Sequence, residues 1–133
     1  MAKTQFGVVA PNVTRSYKCD AVIGAGLAVI GGAAPNSVAL PGGANVRALG
    51  VTAAASVNVG DPIPIVEFGE VTAIADAAIA RSQWVMVNAA TGQLAPVGAV
   101  AGTNYETVGI ALEAAAAQGD EFLLLVVPQR VQG

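Results

Sequence analysis

The chain has 133 residues, 54% of them hydrophobic and only 11% charged, with a formal net charge of −3. That length allows one domain with a real core, and the apolar content excludes the disordered class. Mean hydropathy is +0.62, yet Gly, Pro, Asn or a charge breaks every apolar stretch well short of the ~18 residues that a spanning helix needs, so no membrane segment is expected.

The leading residues differ in charge from the rest. Residues 1–19 carry Lys3, Arg15 and Lys18 and no acid, whereas the remainder carries three basic residues and all nine acids. The chain therefore reads as an N-terminal basic arm, 1–19, ahead of a β-rich domain, 20–133. Lys3, Phe6, Arg15 and Lys18 are the candidate contacts of that arm with an acidic partner surface, Phe6 reading equally as an apolar anchor in a partner's groove or as a core residue. Three cations in front of an acidic body are too few for a nucleic-acid partner. Sparse charge elsewhere argues that much of the exterior touches other protein. Cys19 is alone, so no intrachain disulfide forms and a reducing compartment is expected. The first residues lack the apolar core of a signal peptide.

Beyond the arm the pattern is mostly β. Residues 27–30 and 37–40 flank a Gly/Pro/Asn cluster and read as a hairpin. Residues 46–51 form the next strand candidate, after an exposed turn at 41–43. In Pro62-Ile63-Pro64-Ile65 both missing N–H groups fall on one edge, which requires an edge strand or a strand start. Glu67 and Glu70 would shield the adjoining residues from unwanted pairing. The Ala-rich segments 71–81 and 113–118 have helical propensity but are short enough to be a single turn or a loop. Residues 84–87 and 93–97 make a second hairpin around Ala90-Thr91-Gly92, with Gly92 suited to positive φ. An exposed loop is expected over 98–106 and a strand over 107–112. Trp84 and Phe122 read as core. Many short strands with Gly/Pro turns give the fold class: all-β, a small barrel or sandwich with little helix.

These elements occur twice. Asp20-Ala21-Val22-Ile23 returns as Asp76-Ala77-Ala78-Ile79, Leu49-Gly50-Val51 as Val108-Gly109-Ile110, and Gly60-Asp61 as Gly119-Asp120. The matches keep their order, at an offset of 56 residues that becomes 59. Two related halves sharing one core are expected, with a small insertion in one copy. Residues 20–68 should then superpose on 76–127 with the same strand order.

Catalytic chemistry is hard to find. There is no His, the commonest general base and zinc ligand, and one Cys cannot build a thiolate site. The carboxylates are scattered, and Glu67 and Glu70, three apart on a strand, face opposite ways. The segment 21–28 resembles the start of a dinucleotide-binding fingerprint. However, Val29 stands where the third Gly belongs, Gly31, Gly32 and Pro35 stop any helix there, and no acid appears before Asp61. A strand–turn–strand explains its glycines. No catalytic residue, metal or cofactor is expected.

The second half carries Gly69-Glu70-Val71, Ala78-Ile79, Val85-Met86-Val87-Asn88-Ala89-Ala90-Thr91-Gly92 and Val108-Gly109-Ile110-Ala111-Leu112-Glu113-Ala114-Ala115-Ala116-Ala117-Gln118-Gly119-Asp120. This series resembles the small capsid cement, or head decoration, proteins of tailed bacteriophages, the DUF2190 group above all. It departs from that pattern where Gln118 separates the Ala run from Gly-Asp, and where Arg81-Ser82-Gln83 replaces a Gly-Asp-like turn. The resemblance implies a non-enzymatic β-rich trimer on the exterior of the virion, made in the host cytoplasm, whose partner is the major capsid protein and which bridges neighbouring coat subunits. Two other readings stay open: a β-barrel module for a small ligand or carbohydrate, which would need an apolar pocket with convergent polar groups, and a small trimeric β enzyme, which would need a metal-holding acidic cluster.

Overall fold

The computed structural model describes residues 12–98 and 100–132. Its strands are β1 (Val13–Cys19), β2 (Ala28–Gly31), β3 (Ser37–Ala39), β4 (Gly50–Thr52), β5 (Pro62–Ile74), β6 (Trp84–Val87), β7 (Leu94–Pro96), β8 (Asn104–Ala111) and β9 (Glu121–Gln132). No helix occurs among the described residues. The two hairpins fall where the turn chemistry places them, and Gly92 has φ +92°. Phe122 is in the core, while Trp84 is half-buried.

The sheet order is β1-β3-β2-β4-β5-β9-β8-β6-β7, and β1 also pairs with β5. That additional pairing closes the first five strands into a small barrel. The order is symmetric about the β5–β9 pair: β3-β2-β4-β5 on one side mirrors β7-β6-β8-β9 on the other. Every pairing within each set is antiparallel. The two halves expected from the sequence thus have the same strand order.

The structure lengthens the repeat. β1 is the counterpart of residues 70–75, the second half of β5 and the residue that follows it. Residues 14–18 pair with 62–66, and residues 70–74 pair with 121–125, in the same antiparallel register. Cys19 forms a parallel pair with Val38, and Ala75 forms the equivalent parallel bridge with Leu94. The amide of Asp20 donates to Val38 O (2.8 Å), and that of Asp76 to Leu94 O (2.6 Å). Residues 13–19 are therefore not detached from the body as an arm; they are the first strand of the first barrel. Composition misled here because β1 is exposed on both faces along most of its length, so it carries polar residues as a free segment would.

β5 serves both barrels. Its first half ends the first repeat and its second half begins the next. Ile65 pairs with Thr52; Gly26 N–H donates to Thr52 O at 2.8 Å, and Ile74 N–H donates to Gly26 O at 2.9 Å. A straight strand would separate Ile65 from Ile74 by about 30 Å, yet Thr52 and Gly26, bonded to each other, span them. The strand must bend sharply, and Gly69, at φ +121°, supplies a conformation closed to side-chain-bearing residues. The second barrel consequently lies beside the first.

Pro62 and Pro64 stand at a strand start, as expected. The carbonyl of Pro64 accepts from Ala53 N–H (3.0 Å), just past the end of β4, so the missing amides interrupt no ladder. Residues 69–74 are not an edge that needs charged guards, since β9 covers them. That pairing also overrides the helical propensity of 71–74. The exposed loop expected over 98–106 is shorter, because β8 begins at Asn104 and Tyr105 is buried. The strand expected over 46–51 shrinks to Gly50–Thr52, since residues 42–47 cross to the second barrel. Gly42 N–H donates to Ala90 O, Asn45 N–H to Val87 O, and the Asn45 side chain bonds Asn104 O and Glu106 N–H. Pro41 in that turn is buried. One core cluster draws on both barrels, including Ala28, Val51 and Val66 from the first with Val85, Phe122 and Leu124 from the second. A smaller one, including Cys19, Val29 and Ile65, belongs to the first barrel.

Candidate interaction surface

Most carboxylates have structural partners. Asp61 accepts from the amides of Val57 and Asn58 (3.0 and 2.8 Å), and Asp120 accepts from Ala116 and Ala117 (3.1 Å each), so both close the loop before the last strand of their repeat. Asp20 accepts from Ala33 N–H; Asp76 holds the side-chain amides of Asn88 and Gln118; Glu113 accepts from Leu123 N–H. Hydrogen bonds of this kind fix turns. Among the described residues no three His, Cys, Asp or Glu side chains converge in a way that could hold a metal.

Two charged clusters stand out. Glu67 lies at the end of the first barrel where β1 begins. It pairs with Arg15 at 3.1 Å and accepts a short hydrogen bond from the Tyr17 hydroxyl. That bond, together with burial and the neighbouring carboxylate, pushes the Tyr17 hydroxyl above its ordinary value of 10.0, against a smaller opposing pull from Arg15. Glu106 takes Arg130 from the paired strand and lies 3.5 Å from Arg47 of the first barrel. Both arginines are well exposed, so these pairs orient side chains more than they stabilise the fold.

The four expected contact residues separate. Lys3 and Phe6 lie outside the described residues. Arg15 sits mid-strand in β1, committed to Glu67. Lys18 is exposed at the far end of β1, one residue before Cys19, whose thiol is within reach of Asn58 O and Asp61 O. The structure thus places Lys18 at the foot of the 53–61 loop, at the opposite end of β1 from the point where residues 1–11 join it. Seven residues of strand span about 20 Å.

That Lys18 end carries a feature that residue patterns did not reveal. Val57 is 78% exposed, Val59 65% and Val22 57%. A clasp ties their segments together: Ser56 N–H donates to Ile23 O (2.8 Å) and Ile23 N–H donates to Ser56 Oγ (2.7 Å). Ala54 and Ala55 are exposed beside them. The available signal was internal, since Val57-Asn58-Val59 stands where the second repeat has Ala116-Ala117-Gln118. Between the barrels lies an open groove of about 320 Å³ lined by Ala25, Gly26, Ala53, Val71, Thr72, Ile74 and Glu121. It is shallow, with few convergent polar groups, unlike a small-molecule site.

No protein-family model and no curated protein sequence matches the chain. Among solved structures, the N base of the head fiber gp8.5 of bacteriophage phi29 is similar over 92% of this chain and 100% of that one, with a TM-score of 0.65 and 14% sequence identity. At that identity the likeness establishes a shared fold.

Proposed function

We propose that the protein is a non-enzymatic structural component of a tailed-bacteriophage head, bound to the capsid exterior as a decoration or cement protein. The observation that carries this reading is the correspondence of nearly the whole chain with the base of a phage head fiber, joined to the sequence resemblance to cement proteins in the second half. The partner is the major capsid protein, and the protein is a homotrimer whose several weak attachments add to tight binding. Lys3, Phe6 and Lys18 are its capsid contacts, with Arg15 orienting β1 through Glu67. Exposed cations of this kind steer and orient, each contributing about 0–1 kcal/mol.

The test is co-sedimentation of purified protein with expanded heads of the phage that encodes it, with light scattering for the oligomeric state. Saturable binding at a fixed ratio to coat subunits, and heads that survive heat or low ionic strength better when decorated, are the expected results. Deleting residues 2–11 should weaken binding and leave the fold intact; the deletion stops there because Val13 and Thr14 are strand residues. Absence of saturable binding by the full chain would refute the proposal.

A further inference from the structure

We infer that the valine tip of the first barrel, Val22, Val57 and Val59 with Ala54 and Ala55, is a second capsid-contact surface, separate from the leading segment. The inference rests on the capsid-binding function proposed above and names the surface that performs it.

The two repeats provide an internal control. The loops 53–61 and 112–120 are built on one frame. Each ends in a Gly-Asp pair, with φ +93° at Gly60 and +90° at Gly119, and each is closed by its Asp carboxylate onto two amides. The frame therefore does not dictate the side chains at its crest. The second repeat fills the crest with Ala116 and Gln118, places Ala78 opposite, and has Glu113 where the first has Ala54. The first repeat presents three β-branched apolar side chains to solvent. β-Branched residues gain nothing from a solvated loop, and a clustered apolar patch on an otherwise ordinary surface marks an interaction site.

The patch also indicates its occupant. Three valines and two alanines expose at most roughly a few hundred Å², whereas a stable pairwise interface needs about 800 Å² per partner. The patch is too small to hold two free copies together, but sufficient as one of many anchors on a lattice that repeats the same depression. The carboxylate of Asp61 is turned back onto the loop amides, and that of Asp20, two residues before Val22, accepts from Ala33 N–H. The fitting surface is an apolar depression on a coat subunit with a rim that can meet Lys18. Lys18 and the tip lie about 20 Å along β1 from Val13, at the opposite end of the first barrel from the start of that strand.

The full-length variant V57S/V59S should bind expanded heads at least tenfold more weakly than the unaltered protein. Its circular dichroism, melting temperature and oligomeric state should be unchanged. The milder V57T/V59T, which keeps side-chain volume, should lie between the two. The equivalent substitutions in the second repeat, A116S/Q118S, should leave binding unaltered. Undiminished binding by V57S/V59S would overturn the tip assignment while leaving the capsid function standing. A fall in oligomeric state would overturn it by making a second copy the occupant. Failure of the unaltered protein to bind heads would remove the capsid function and the tip assignment with it.

Discussion

The two barrels share a backbone plan but close their ends with different chemistry. In the first barrel the alternate positions of the opening strand on one face are Arg15, Tyr17 and Cys19, and Arg15 and Tyr17 meet Glu67 on β5. In the second the same positions are Val71, Ala73 and Ala75, and Val126 stands where the first has Glu67, with Ala73, Ala75 and Val126 fully buried. The second barrel is covered there by residues 42–47 of the first and by the paired tails of β8 and β9, so water is excluded and the positions must be apolar. The corresponding residues of the first barrel lack such a cover among the described residues, and a polar plug is tolerated. Location, not fold, decides which residues a repeat uses.

Exchanging the two plugs is the sharpest way to break this comparison. V126E would bury a carboxylate inside an apolar cluster, and it should lower stability by about 4 kcal/mol or prevent folding. The reverse exchange, E67V, removes an ion pair whose arginine is largely exposed. It should change stability by less than about 1 kcal/mol. Urea unfolding of both variants measures the difference, and similar losses would mean that the two ends are equally closed.

A smaller effect comes from the paired glycines of β4 and β8. A Cβ on Gly109 would overlap the carbonyl oxygen of Leu125, and one on Gly50 would lie 2.5 Å from that of Val66. Both neighbours are backbone in a sheet, so neither can move aside cheaply. G109A should lose about 3 kcal/mol, and G50A somewhat less, since β4 is short and its ladder gives more readily. Thermal melts of the pair rank the rigidity of the two barrels; a larger loss for G50A would reverse the ranking.

The smallest effect is a titration confined to the first barrel. The Tyr17 hydroxyl is raised above 10.0, first by its hydrogen bond to Glu67. A group with a folded-state value raised above its unfolded one stabilises the fold below the unfolded value, and that contribution disappears as pH rises through the folded value. The Tyr17 contribution should therefore be constant through neutral pH and disappear above about pH 10. Y17F should remove this alkaline decline as measured by denaturant midpoints between about pH 8 and 11. An unchanged decline in Y17F would assign it to other groups.

Much of this could be read from the chain itself. The ordered pairs Asp20/Asp76, Gly50/Gly109 and Gly60/Gly119 carried the duplication. Turn residues and short apolar runs carried both hairpins, because φ preferences and strand periodicity are local properties. The missing His, the lone Cys19 and the scattered acids limited the chemistry for the same reason, since residue types need no coordinates.

Tertiary structure alone decided that residues 14–18 repeat residues 70–74. The two segments share no residue at any matched position, and only their common register against 62–66 and 121–125 makes them equivalent. It also decided that β5 is one strand divided between two barrels by a bend at Gly69, and that residues 42–47 leave their own barrel to cover the other. Pairing partners and covering segments lie far apart in the chain, and nothing in the residues between them specifies which surfaces will meet. The same reason kept the valine tip hidden, because an apolar residue declares itself as core or contact only when the structure shows whether anything lies on top of it.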